Sequence, residues 1–196
     1  MLVWKWLHAW PWALGLLAVV WLAWQAVSAW RRRQRPLLEA QREKQARARA
    51  ETFVRAHPDW HLRLYRTPKG LRALVMHRTF DPGEPAVAEC FQALGADPVY
   101  VRMCQRQRCY RARVSPKPWR IGVRKHLKPH PGVWPIRPER MPDRQAWVKA
   151  YEEAARKFAS CHFVTKLGSS AATDETQAVQ LVHDQLCQAG TTLPMG

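Results

Sequence analysis

The feature that most constrains this chain is a long uncharged apolar run near its N-terminus. Residues 6–30 contain no Asp, Glu, Lys or Arg, and tryptophans cluster towards both ends of the run. An α-helix rises about 1.5 Å per residue, so a run of this length crosses a hydrocarbon core about 30 Å thick. Tryptophan side chains favour the two membrane interfaces. We therefore predict that residues 6–30 form a transmembrane helix and that residues 1–30 are a membrane anchor.

The charges beside this run predict its orientation. Arginines occupy four of the five positions 31–35, whereas only Lys5 precedes the run. Basic residues are retained on the cytoplasmic side of a membrane span. We therefore expect a single-pass protein of the inner (cytoplasmic) membrane with a cytoplasmic C-terminal domain. The small-residue spacing of Val27-Ser28-Ala29 leaves a cleaved secretory signal open as the alternative.

A basic juxtamembrane stalk is predicted over residues 31–57. Its second half consists almost entirely of strong helix formers, with opposite charges at helical spacing such as Glu43 and Arg47. The stalk should end at His57, because a residue before proline is pushed out of the helical region. The remaining residues, 58–196, suffice for one compact basic domain.

Two β-hairpins are expected in this domain. The first covers residues 60–77, where two apolar stretches flank the turn sequence TPKG. A type I turn with a G1 bulge places Leu64 opposite Leu74 and Leu62 opposite Met76. In this register, the paired apolar side chains of the two strands lie on one face of the hairpin.

The second hairpin is predicted over residues 99–114. The pairing of Cys104 with Cys109 places apolar residues on one face of this hairpin. The opposite face then carries the two cysteines together with Tyr100, Arg102, Arg111 and Arg113. The result would be a cationic sheet face bearing one aromatic ring.

About three helices are predicted to pack on a largely antiparallel sheet. The helical segments are residues 85–95, 143–159 and 174–188, and a short strand is expected at 161–166. In the last helix we expect Val179, Val182 and Leu186 to face the core. The proline-rich residues 115–142 should wrap the domain as an ordered loop. The predicted fold class is α+β.

The charge distribution indicates what kind of partner the domain binds. The formal net charge is +17, and no Asp or Glu occurs between Pro98 and Pro138. A field of one sign attracts a polyanion, so we expect binding to anionic lipid headgroups or to an acidic protein partner. The candidate contact residues are Arg102, Arg111, Arg113, Tyr100, Lys117 and Arg120. Aromatic rings among these charges also leave a nucleic-acid-binding module open.

The cysteines and histidines indicate a different function. Cys104 and Cys109, opposed across the predicted hairpin, suit a thiol-redox pair or two zinc ligands. His183 and Cys187 lie four residues apart on one helix, so both point towards one ion, and Cys161-His162 adds further candidates. The alternative function is therefore a thiol-redox or zinc-binding domain. The simpler interpretation of Cys187 is a small core residue.

No catalytic motif accompanies these residues. The patterns G-x-S-x-G, Walker A, H-E-x-x-H and G-x-G-x-x-G do not occur in the sequence. We therefore expect a non-enzymatic protein without a cofactor, and zinc is left open as the alternative.

Two stretches carry a resemblance to a known family. LYRTPKGLR and ALGADPVYVRMCQRQRCYRARVSPKPWRIG resemble segments of an uncharacterised family of single-span bacterial membrane proteins. The resemblance covers residues 61–122. It implies a bacterial membrane protein and supplies no activity, ligand or functional residue.

Overall fold

The computed structural model of this protein describes residues 10–127 and 134–196. The start of the predicted membrane anchor and the centre of the proline-rich loop, residues 1–9 and 128–133, lie outside the described residues. The chain divides into two compact units, Met1–Lys44 and Gln45–Gly196.

Helix α1 spans Trp10–Ala56 and contains Pro36. Among the described residues, its stretch Leu14–Ala56 is the one helix that is long and apolar enough to cross a membrane, by length and composition. The most apolar part of this stretch has a mean hydropathy of 1.3, and none of it is buried. Helix α1 ends at Ala56, just before His57-Pro58, where the sequence predicts the end of the stalk.

The sheet has three antiparallel strands, β1 (His61–Thr67), β2 (Gly70–Val75) and β3 (His162–Gly168), in the order β2-β1-β3. The first hairpin is present, but its predicted register is wrong by one residue. Leu64 lies opposite Ala73, and Leu62 lies opposite Val75. The physical reason is the tighter turn: Thr67 pairs directly with Gly70, so only two residues connect the strands.

The central strand β1 is covered on both faces. On one face, Leu62 and Leu64 pack with the last turns of α1, including Phe53. On the other face, Tyr65 packs with Cys161 and Cys187. Alternate side chains of one strand therefore contribute to two separate core clusters.

The predicted second hairpin is not formed. Helix α2 (Pro85–Leu94) ends at Gly95 as predicted, and residues Pro98–Gln107 then form helix α3. Asp97 caps α3, since its Oδ1 accepts hydrogen bonds from the N–H groups of Val99 at 2.7 Å and Tyr100 at 3.3 Å. Proline at the first helical position needs no hydrogen-bond partner for its nitrogen. The Asp97 cap and the proline after it favour the start of a helix. They outweigh the alternation of apolar and polar residues from which the hairpin was predicted.

The described residues between 108 and 140 are mostly irregular, and two short 3₁₀ turns occur among them, at Pro118–Arg120 and Pro138–Arg140. Of the apolar side chains in this loop, Ile121 is buried, whereas Trp119 and Trp134 are exposed. Helix α4 then spans Met141–Ala155.

Helix α5 spans Asp174–Cys187 and starts with a capping box between Thr173 and Thr176. The predicted core face of this helix is wrong. Val179, Val182 and Leu186 are 55%, 56% and 56% exposed, and the buried residues are Thr176, His183 and Cys187. The rotation of α5 is set at its first turn, where the Thr176 hydroxyl donates a 2.6 Å hydrogen bond to the Met76 carbonyl.

Candidate metal centre

Three metal-ligating side chains meet beside Tyr65 on the α5 side of the sheet. His183 and Cys187 are four residues apart on α5, and Cys161 immediately precedes β3. Backbone hydrogen bonds hold the two elements together, from Ser160 N–H to the Cys187 carbonyl and from Phe163 N–H to the Ala189 carbonyl, each 2.9 Å. This pairing of β3 with the end of α5 brings the two thiols together.

The ligand atoms of Cys161, His183 and Cys187 all lie within 4.8 Å of one another. The Cys161 Sγ is 4.0 Å from the His183 Nε2. In a tetrahedral zinc site, ligand atoms about 2.0–2.3 Å from the ion are about 3.5–3.8 Å apart. Small rotations of these side chains would therefore bring the three atoms to coordination distance.

His183 is held in the orientation of a metal ligand. Its Nδ1 is 2.9 Å from Asp184 Oδ1, so the ring donates its proton there and directs the Nε2 lone pair towards the two sulfurs. Asp184 is in turn held by Arg63 at 3.0 Å and Gln180 at 3.1 Å. A carboxylate behind a histidine is the usual support of a ligating imidazole.

The carboxyl of Asp184 stays ionised although it is partly buried. Burial by itself would raise its pKa, but hydrogen bonds from His183, Tyr65 and Gln180, together with the charge of Arg63, hold the pKa below its usual value. The support behind His183 is therefore a charged acceptor at neutral pH.

Arg72 occupies the space between the three ligands. Its Nη1 is 2.8 Å from His183 Nε2, 3.6 Å from Cys187 Sγ and 3.9 Å from Cys161 Sγ. Its Nη2 donates a 2.8 Å hydrogen bond to the carbonyl of Arg113. A guanidinium cation therefore satisfies the cluster where a metal ion would bind.

The two thiols have different acidities. A hydrogen bond from Cys161, together with the charge of Arg72, lowers the pKa of Cys187 against the effect of burial. The hydrogen bond to Cys187 and burial raise the pKa of Cys161. Of the two thiols, Cys187 therefore loses its proton more readily, which favours it as a metal ligand.

The protonation state of His183 follows from its neighbours. A hydrogen bond with Cys187 raises the pKa of His183. The short contact with an Arg72 N–H nevertheless requires a free lone pair on Nε2, because a guanidinium can only donate. We therefore assign the neutral ring, with its proton on Nδ1, to this arrangement.

The other predicted ligands do not join this cluster. Cys104 is buried on α3, and Cys109 lies just beyond the end of that helix, where its N–H donates to the Cys104 carbonyl at 3.2 Å. The predicted opposition of the two cysteines across a hairpin is therefore wrong, because the segment is helical. Among the described residues, the group of three potential ligands is Cys161, His183 and Cys187.

The predicted cationic residues do not share a strand face. Tyr100 and Arg102 lie on α3, whereas Arg111 and Arg113 lie in the irregular segment after it. The side chains of all three arginines are exposed, and the ring of Tyr100 packs edge-on against Phe91 with 5.9 Å between centroids. These charges face solvent from two different elements.

Lys117 and Arg120 flank an exposed aromatic ring. Both are partly exposed at the first 3₁₀ turn, and the Lys117 ammonium lies 5.1 Å from the centre of the Trp119 ring. This contact is a cation–π interaction at the protein surface.

Sequence reasoning missed two residues that complete the site, Arg72 and Asp184. Asp184 directly follows His183, which is a usable signal, whereas Arg72 comes from a strand more than a hundred residues earlier in the chain.

Comparison with known proteins finds no matching family model, no matching curated protein and no matching solved structure.

Proposed function

We propose that this protein binds one thiophilic metal ion, Zn²⁺ in the first place, in a domain anchored to the membrane. The observation that carries the proposal is the convergence of three ligand atoms within 4.8 Å, contributed by Cys161, His183 and Cys187. The carboxylate of Asp184 behind His183 supports it further.

The donor set favours zinc over harder ions. Two sulfurs and one imidazole nitrogen suit Zn²⁺, whereas Ca²⁺ and Mg²⁺ prefer oxygen ligands. Three protein ligands leave a fourth position for water or for a donor from a partner molecule. The proposed site is therefore suited to reversible binding rather than to a closed structural role.

The proposed location is consistent with free thiols. All five cysteines are unpaired in the structure. We place the domain on the cytoplasmic side of the inner membrane because arginines directly follow the apolar run. The reducing cytoplasm keeps thiols available as metal ligands.

The test is metal binding by the full-length chain in detergent micelles. Titration of the reduced, metal-free protein with Co²⁺ should produce thiolate-to-metal absorption that saturates at one ion per chain, and Zn²⁺ should abolish it. The substitutions Cys161→Ser, His183→Ala and Cys187→Ser should each remove the signal, because each deletes one of three ligands.

The matched control is Cys104→Ser. Cys104 is as completely buried as Cys161 but lies outside the cluster. The absorption should survive this change. A protein that binds no ion, or one whose binding is lost equally in Cys104→Ser and Cys161→Ser, would contradict the proposal.

A second candidate function is docking to an anionic surface, for which the supporting observation is the exposure of Arg102, Arg111 and Arg113. These side chains come from a stretch without any acidic residue. A basic domain tethered to a membrane gains about 1 kcal/mol for each basic residue that reaches an anionic leaflet.

This docking can be tested with the full-length protein embedded in nanodiscs of neutral lipid. It should bind liposomes that contain anionic lipid and should not bind neutral ones. Charge reversal of the three arginines to Glu should abolish this binding. Reversal of three exposed basic residues elsewhere, Lys149, Arg156 and Lys157, provides a control with equal net charge. Preferential binding of an acidic protein or of RNA in place of liposomes would replace lipid as the ligand.

A further inference from the structure

We propose that Arg72 occupies the metal position when no ion is bound, and that its displacement by the ion releases residues 112–113, which carry the exposed Arg113. This inference rests on the proposed metal site. It adds a regulatory step to that site, because occupancy by the ion would be coupled to the position of Arg113.

Competition follows from a single lone pair. The Nε2 of His183 accepts from the Nη1 of Arg72 at 2.8 Å. A neutral imidazole has one such lone pair, and a zinc ion would need it along the same direction at about 2.0–2.1 Å. The guanidinium and the ion therefore cannot both be bound to His183.

The sulfur contacts lead to the same conclusion. The Arg72 Nη1 is 3.6 Å from the Sγ of Cys187 and 3.9 Å from that of Cys161. The same two sulfurs would bind the ion. The guanidinium and the ion would then lie within a few ångströms of each other, and two cations that close together repel. Arg72 thus occupies the position between the three ligand atoms when no metal is bound and must withdraw when the ion arrives.

The same guanidinium holds the backbone at Arg113. Its second nitrogen, Nη2, donates to the Arg113 carbonyl at 2.8 Å. The Cys187 Sγ lies 4.0 Å from this carbonyl. When Arg72 withdraws, the Arg113 carbonyl loses its guanidinium donor, and Cys187 becomes committed to the ion.

Hydrogen bonds on either side of the Arg113 carbonyl limit how much of the chain can move. Beyond it, the Ser160 hydroxyl donates to the Val114 carbonyl at 2.9 Å, and the Tyr151 hydroxyl donates to the Pro116 carbonyl at 2.7 Å. Before it, Arg108 pairs with Asp81 at 2.8 Å, and the Tyr100 hydroxyl on α3 accepts a hydrogen bond from the Arg111 N–H. The moving part is therefore residues 112–113, which carry Arg113.

The affinity test compares full-length wild type with Arg72→Gln in detergent micelles, with a chromophoric chelator as the competitor for Zn²⁺. Removal of the competing cation should tighten Zn²⁺ binding at least about tenfold. Arg156→Gln removes one exposed positive charge outside the cluster and should leave the affinity unchanged. Equal or weaker binding by Arg72→Gln would overturn the inference while leaving the metal site intact.

The release test compares the wild-type protein with and without bound Zn²⁺. Limited trypsin digestion should cut after Arg113 several-fold faster when Zn²⁺ is bound, whereas cleavage after Lys157 should keep its rate. In Arg72→Gln, cleavage after Arg113 should be fast without metal. Cleavage that is insensitive to bound Zn²⁺ in the wild type would overturn the coupling.

The two proposals fail in different ways. If neither wild type nor Arg72→Gln binds Zn²⁺, the metal site itself is wrong. If both bind it with the same affinity, the site stands and the competition by Arg72 is wrong.

Discussion

Asp184 decides how the ring of His183 presents its nitrogen. The carboxylate Oδ1 lies 2.9 Å from Nδ1 and accepts its hydrogen bond, which leaves the lone pair of Nε2 for the proposed ion. Loss of such a support typically lowers metal affinity about 10- to 100-fold. We predict a loss of this size for Asp184→Ala, measured by chelator competition for Zn²⁺.

The control for this prediction is Gln180→Ala. Gln180 donates to the same carboxylate at 3.1 Å but contacts the other oxygen, so His183 keeps its acceptor. Affinity should change much less in Gln180→Ala than in Asp184→Ala. Equal affinities in wild type and Asp184→Ala would show that this carboxylate does not orient the ligand.

Gly168, the last residue of β3, is a second position where one residue decides the structure. Its φ is +81°, and a Cβ at this position would collide with the backbone carbonyl of Trp60. Both the left-handed conformation and the collision disfavour any side chain. We predict that Gly168→Ala lowers the free energy of unfolding by at least about 1 kcal/mol, measured by urea denaturation.

Gly190 is the matched control because a Cβ there meets nothing within 4 Å and its φ is not positive. Gly190→Ala should leave the urea midpoint nearly unchanged. Equal midpoints for Gly168→Ala and the wild type would show that the end of β3 can relax without cost.

At the scale of the element, the rotation of α5 decides whether the helix presents ligands or aliphatic side chains to the sheet. Val182 and Leu186 are each 56% exposed, whereas Thr176 is buried and donates to the Met76 carbonyl. We predict that Val182→Gln and Leu186→Gln each change the free energy of unfolding by less than about 0.5 kcal/mol. Thr176→Val should cost about 1 kcal/mol or more, because it removes the 2.6 Å hydrogen bond to the Met76 carbonyl and leaves only the longer one, 3.4 Å, from the Thr173 N–H.

Chemical denaturation of the three variants distinguishes the two orientations of α5. A large loss of stability in Val182→Gln together with a small one in Thr176→Val would indicate that the aliphatic stripe faces the core. The order predicted here requires the opposite ranking.

At the scale of the whole molecule, the side of the membrane decides which chemistry the thiols can perform. We predict that a fluorescent protein fused to the C-terminus is bright, and that a phosphatase active only outside the cytoplasm is inactive in the same position. The reason is the arginine cluster that directly follows the apolar run. An active phosphatase fusion would place the cysteines in an oxidising compartment and would argue against a thiolate metal site there.

Parts of the fold and of the site were predictable because their signals are local. The turn sequence TPKG predicted a hairpin, and the Gly95 helix end is visible in the sequence. The spacing of His183 and Cys187 likewise predicted two ligands on one side of a helix. In contrast, residues 99–114 alternate like strands, and the helix start at Asp97-Pro98 outweighs that alternation.

The sequence by itself determined the apolar N-terminal helix, the α+β class and the concentration of positive charge, since these depend on composition and short-range periodicity. Only the tertiary structure decided that Cys161, His183 and Cys187 meet, that Asp184 orients the imidazole and that Arg72 lies between them. The physical reason is that these contacts depend on the rotation of α5 and on the pairing of β3 with β1. Both are set by packing between residues far apart in the chain, which no local pattern encodes.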